Sequence, residues 1–321
     1  MKKLTPIFLL FALTMTAPGC TNAQDEKVEP FPFGGKFVFS SLREGIAIKD
    51  NKTYILENGK IREVAGRLGN PKWSPDGKEF IVSAADKHLI YIYTQNGLLR
   101  EEIPTDGYPV DPQFFPDQKK ILYGTKESSN NYKDSLFRIF IYDLETKQSV
   151  LVRTFEKNQH LMKLHLSHDG SKFAYSLNDP VHFKAPRELG VFDVQTKKLK
   201  TYHPNTFSVV GWYPGDKQML VWGNRKESGN SYNDRFGVLG IIDVESEEFK
   251  VLREESHFYS FRSLSKDGKY IIYTRNFKKT QCIFVNELAT DKEYQVTYPQ
   301  SIGSTGYFSK DDYADWYQET R

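Results

Sequence analysis

Cysteine is close to absent from this chain of 321 residues: only Cys20 and Cys282 are present. A fold stapled by a disulfide framework is therefore excluded. Cys282 lies in the strand-like run TQCIFVNEL and reads as a small buried apolar side chain. An excess of one charge sign is lacking as well. The 44 basic and 41 acidic residues leave a net charge of +3, which gives no electrostatic reason to expect nucleic acid as a partner. Beyond the N-terminus no apolar run is long enough to span a bilayer. Signatures of common enzyme classes are missing too: there is no HExxH, no G-x-S-x-G, no Gly-rich phosphate loop and no C-x-x-C pair. Neither a cofactor nor a metal centre is expected. What the chain does have is 39% hydrophobic and 14% aromatic residues, enough for two ordinary domains or one large repeat domain.

The N-terminus is a processing segment. Met1-Lys2-Lys3 is basic, Leu4 to Ala17 is an apolar run broken by Pro6, and Gly19-Cys20 follows. This reads as a secretory signal, too short for a spanning helix. It resembles a bacterial lipoprotein signal, with Ala17 and Pro18 where such signals usually carry Leu and a small residue. The resemblance implies a signal peptide over 1–19, lipid on Cys20, and anchoring in the cell envelope, on the periplasmic or the surface side of the outer membrane. Residues 20–35 read as a polar tether. Its Asp25, Glu26 and Glu29 resemble the acidic export signals of some surface lipoproteins.

One phrase recurs along residues 36–321. It reads WSPDGKEF (73–80), FFPDQKKI (114–121), LSHDGSKF (166–173), WYPGDKQM (212–219), LSKDGKYI (264–271) and FSKDDYAD (308–315). Its chemistry is that of a tight turn: Pro presets φ, Asp bonds the backbone ahead of it, and Gly takes positive φ. The runs after it, such as EFIVSA, KILYGT and YIIYTR, alternate and are rich in β-branched and aromatic residues. A second phrase, YDLETK (142–147), FDVQTK (192–197) and IDVESE (242–247), falls between the first ones and reads as a second hairpin turn. One unit is then four antiparallel strands, the blade of a β-propeller.

Six such centres predict an all-β, six-bladed β-propeller of four-stranded blades. Only YADWYQETR follows the last turn, while KFVFSS, GIAIKD, KTYILEN and KIREVA precede the first phrase. The ring is therefore expected to close by joining N- and C-terminal strands, which removes a sheet edge. Because residues 36–66 could hold four strands, seven blades with one incomplete is the alternative. These phrases and their spacing resemble the TolB-like, or PD40, propeller family over nearly all of residues 36–321, as a lipoprotein member lacking the N-terminal domain of TolB. The resemblance implies the fold. It is weak for function, because the turn phrase is structural.

Aligning the turns sets up two columns on the innermost strands. Trp73, Phe114, Leu166, Trp212, Leu264 and Phe308 are large and apolar, as wedges between blades should be. Lys72, Gln113, His165, Gly211, Ser263 and Tyr307 are mostly polar or small and are expected to line a channel on the axis. A polar nonapeptide also occurs twice, as KESSNNYKD (126–134) and KESGNSYND (226–234), at the same place in blades two and four. Blade three has NDPVHFKAPREL (178–189) there, whereas blades one and five are short. These loops are expected on the face opposite the first turns, with Asn130, Tyr132, Asp134, His182, Lys184, Arg187, Asn230, Tyr232 and Asp234 forming one binding surface. Tyrosines among small polar residues suit such a surface. His160, His165 and His168 are too far apart along a strand and its loop for one metal ion. Some propeller lyases acting on pectin fragments resemble this repeat and use a His-rich metal site, but no matching cluster stands here.

The residues thus point to a monomeric, lipid-anchored binding or scaffolding module for an envelope protein or glycan. The alternatives are a propeller hydrolase or lyase acting on a glycan, and an accessory or sensor protein of a nutrient-uptake system.

Overall fold

A computed structural model describes residues 29–42, 51–66, 69–84, 87–127, 135–157, 159–178, 188–202, 207–223, 237–255, 260–277, 280–298, 301–302, 307–308 and 311–318. Six four-stranded antiparallel blades stand around one axis. Blade one spans 69–104, blade two 108–154, blade three 160–202, blade four 207–255 and blade five 260–295. Blade six is assembled from both ends of the chain. Its innermost strand is Asp311–Tyr317, and its other three are Lys36–Ser41, Lys52–Glu57 and Lys60–Gly66. Lys36, Phe37 and Val38 pair with Tyr317, Trp316 and Asp315, which closes the ring. Three N-terminal strands complete this blade, so the seven-blade alternative does not hold.

The sequence reading is corrected at the sixth phrase. FSKDDYAD is not a turn between a first and a second strand. Tyr307–Phe308 is a short strand paired with Ser301–Ile302, and Asp311 already begins the innermost strand of blade six. The expected tether also ends early. Glu29–Pro30 adds a fifth, parallel strand to the outer edge of blade five, and Phe31 N–H donates to the Gln295 carbonyl.

The core lies between blades rather than within them. Six apolar clusters fill the six interfaces, one for each pair of neighbours; Phe80, Val82 and Trp73 of blade one, for example, pack with Val38 and Ile55 of blade six. This explains why second strands such as Glu79–Ala84 and Lys120–Lys126 are buried on both sides instead of alternating. A strand covered on both faces has no solvated face to mark with polar residues. The outer strands, by contrast, are largely exposed.

The turn phrase closes on itself. Ser74 Oγ donates to Asp76 Oδ1 at 2.7 Å and accepts from Glu79 N–H at 3.0 Å. Gly77 takes φ 68°. The same Ser–Asp bond recurs as Ser167–Asp169 and Ser265–Asp267. The second hairpin turns bond to the first ones, Gln95 N–H to the Lys78 carbonyl and Leu144 N–H to the Lys119 carbonyl. Both kinds of turn therefore share one face, here called the turn face.

Candidate functional site

The strand registers bring the channel column together at one level. Lys72 pairs with Ile81, Gln113 with Leu122, His165 with Ala174, Gly211 with Leu220 and Ser263 with Ile272. Each is the same rung of its blade. In blade six that rung pairs Asp315 with Val38. The sixth place in the column therefore belongs to Asp315, not to Tyr307, and the sixth wedge is Trp316 instead of Phe308. The side chain of Tyr307 is outside the described residues. The sequence carried a signal for the correct pair: Asp315-Trp316 matches Lys72-Trp73 in placing a charged residue before tryptophan.

These residues line a pocket of about 350 Å³. Turn residues Pro75, Pro116, His168 and Lys266 rim it, so it opens on the turn face. Gly211 is required where it stands, because a Cβ there would lie 2.7 Å from Leu264 Cβ of the next blade. Two members of the column have a structural task. An innermost strand exposes one backbone edge to the channel, and buried N–H groups need partners. Gln113 Oε1 accepts from Leu166 N–H of blade three at 3.1 Å, and Asp315 Oδ2 accepts from Trp73 N–H of blade one at 2.9 Å. Asp111, which sequence reasoning missed, acts similarly. Its carboxylate accepts from Leu164 N–H at 3.2 Å and from Asn70 Nδ2 at 3.2 Å, binding blades one, two and three together.

The remaining column residues are less engaged. Lys72 Nζ reaches across to the Leu164 carbonyl of blade three at 3.4 Å, where Gln113 Nε2 also donates. His165 is 8% exposed and its Nε2 has no hydrogen-bond partner, nor has Ser263 Oγ. Burial, reinforced by Lys72 and Lys163, holds the His165 imidazole well below its usual range, so it is neutral. Burial pushes the Asp315 carboxyl up, against the opposing pull of Trp73 N–H and Lys72. The three expected histidines are well separated in role. His160 packs its ring against Phe137 with centroids 4.9 Å apart, His165 lines the pocket, and His168 bonds Asp216. Among the described residues no three His, Cys, Asp or Glu side chains gather as a metal site.

The other predicted binding residues, Asn130, Tyr132, Asp134, His182, Lys184, Arg187, Asn230, Tyr232 and Asp234, lie outside the described residues, as does Cys20. The strands that bear their loops are described. The second strand of blade two runs from the turn at Asp117 to Lys126, so connection 127–136 departs from the end opposite the turn face. The same holds for 179–188 in blade three and 224–236 in blade four.

Comparison with solved structures places this architecture. TolB from Acinetobacter baumannii superposes with a TM-score of 0.66 at 16% identity, over 91% of this chain and 68% of that one. The fold is the six-bladed propeller of TolB. An oligogalacturonate lyase in complex with manganese shares the fold at a TM-score of 0.58 and 16% identity, over 84% of this chain and 76% of the lyase. Pyrococcus horikoshii acylaminoacyl peptidase shares it at 0.53 and 10% identity, over 79% of this chain and 43% of the peptidase. No family model matches the sequence, and no curated protein matches it. Proteins of quite different activities thus share this fold, and the fold alone assigns none of them.

Proposed function

We propose that this protein is a binding module of a bacterial cell envelope, held there by lipid on Cys20, that recognises a protein or glycan through the connections of blades two to four. The observation that carries this reading is the contrast between the two faces. On the turn face, short turns satisfy their own hydrogen bonds. At the other end of the strands, blades two, three and four insert 127–136, 179–188 and 224–236, where blades one and five need only 85–88 and 278–279. Three neighbouring blades with long inserts on a rigid ring are a usual arrangement for recognition, because loops can vary while the scaffold holds their ends. Blade six adds a further long connection, 42–51, away from these three.

The nonapeptides supply the chemistry. Tyr132 and Tyr232 offer large amphipathic side chains that turns do not need, and tyrosine is favoured at binding hot spots. The test combines Tyr132→Ala with Tyr232→Ala. Partner recovery from native envelopes by crosslinking should fall at least tenfold, with the melting temperature unchanged. Full recovery by the double variant would refute the role of this surface. A Cys20→Ser variant that still fractionates with membranes would refute the anchor.

A further inference from the structure

The pocket on the turn face contains more unpartnered polar groups than its structural task explains. Gln113 and Asp315 cap strand edges, as described. Two further polar atoms of lining residues, His165 Nε2 and Ser263 Oγ, are buried without a hydrogen-bond partner. A buried polar atom left unmet costs about 1–3 kcal/mol. Buried polar atoms are nearly always paired in folded proteins, so two in one column call for a partner from outside the chain.

Both atoms can serve as donors. The Lys72 ammonium in the same column only donates, and it keeps N–H groups beyond the one aimed at Leu164. Among the described residues Lys72 is the one deep cation of the pocket, and a ligand that pairs with it brings acceptors and a negative charge. A second negative charge would meet Asp315, which lies in the same wall. The volume of about 350 Å³ is at the lower end of small-molecule sites, which run from roughly 300 to 1,000 Å³. Phe114, Trp212 and Leu264 add apolar wall, which suits a carbon skeleton better than a bare inorganic ion.

We propose that the channel mouth binds a small organic monocarboxylate, with its carboxylate at Lys72 and its other oxygens at His165 and Ser263. This site is on the face opposite the inserts of blades two to four, and it stands or falls independently of their role.

The experiment is calorimetric titration of the purified protein at neutral pH and low salt. Lactate, pyruvate and gluconate are the probes, with glucitol and inorganic phosphate as controls. At least one monocarboxylate should bind with one-to-one stoichiometry, and glucitol, which has the gluconate skeleton without the charge, should not. Lys72→Gln should weaken binding tenfold or more and Ser263→Ala severalfold, while Lys72→Arg keeps it within a few-fold. Melting temperatures identify any variant that fails to fold, in which case Ser263→Ala and Lys72→Arg decide. The proposal is overturned if no monocarboxylate binds, if glucitol binds as well as gluconate, if phosphate binds in place of the carboxylates, or if a folded Lys72→Gln protein retains full affinity.

Discussion

In blade four the turn reads Pro214-Gly215-Asp216, with glycine and aspartate exchanged relative to Pro75-Asp76-Gly77 of blade one. The last of these places needs positive φ, and Asp216 adopts it at 53°, a region aspartate tolerates better than most residues. The exchange turns a carboxylate toward blade three, where it accepts from His168 N–H at 2.9 Å, Asp169 N–H at 2.9 Å and His168 Nδ1 at 2.8 Å. Elsewhere a turn glycine packs on a proline of the preceding turn, Gly170 on Pro116 and Gly268 on Pro214. Blade three has His168 in the proline position, so the pair His168–Asp216 replaces a proline–glycine pair. Asp216→Gly alone should cost about 1–2 kcal/mol, since it strands three part-buried donors. Joined with His168→Pro it should cost less than the sum of the two singles, by at least about 0.5 kcal/mol. Urea denaturation of the four proteins measures this, and simple additivity would sink the idea. The turn itself was legible from its Pro, Asp and Gly. The exchange was not, because its meaning depends on a partner 48 residues away. The two perturbed channel groups give opposite pH slopes. His165, held low, favours the folded state above pH 6.5, and this contribution declines as pH falls from there. Asp315, held high, binds its proton more tightly when folded, so stability declines as pH rises from 3.8 through its folded value. His165→Gln should flatten the first slope and Asp315→Asn the second in denaturation at stepped pH. Slopes identical to those of the parent would remove both groups from the account.

At the level of strands, the short element Glu29–Pro30 was the least legible. Two residues carry no periodicity, and GluPro in a charged stretch reads as linker. What fixes it follows after it. Phe31 lies edge-on to Phe37 and Trp316 with centroids 5.1 Å away in each case, and Phe33 lies 4.9 Å from Tyr270 and 5.3 Å from Tyr294. The two phenylalanines thus join blades five and six across the ring closure. Replacing both by alanine should lower stability by about 2–3 kcal/mol, less than the 3–5 typical of one fully buried phenylalanine because both are only partly buried. An unchanged urea midpoint would make the segment incidental. The sixth phrase was misplaced for a related reason. Phe-Ser-Lys-Asp copies the turn in composition, but only pairing partners distant in sequence, Lys36 to Val38, show which residues form the innermost strand.

For the molecule as a whole, six blades were legible from six phrases, although only five of those phrases are turns and the sixth leads into the closing strand. The count held because every blade, however assembled, keeps one innermost strand with the same rung order. For the same reason Lys72, Gln113, His165, Gly211 and Ser263 could be grouped before their surroundings were known. The unmet atoms around them could not, because hydrogen-bond satisfaction belongs to the closed ring and to no segment of it. Ring closure has one further consequence, concerning force. Tension on the chain ahead of Glu29 would first load a strand lying parallel to Lys292–Gln295, whose bonds must shear together rather than peel in turn. The load would then pass through Phe31 and Phe33 to Lys36–Ser41, the strand that holds the C-terminal end in place. A pull from that side meets the clasp of the ring before it meets any single blade, so its resistance to tearing is governed by a rate of unfolding rather than by equilibrium stability.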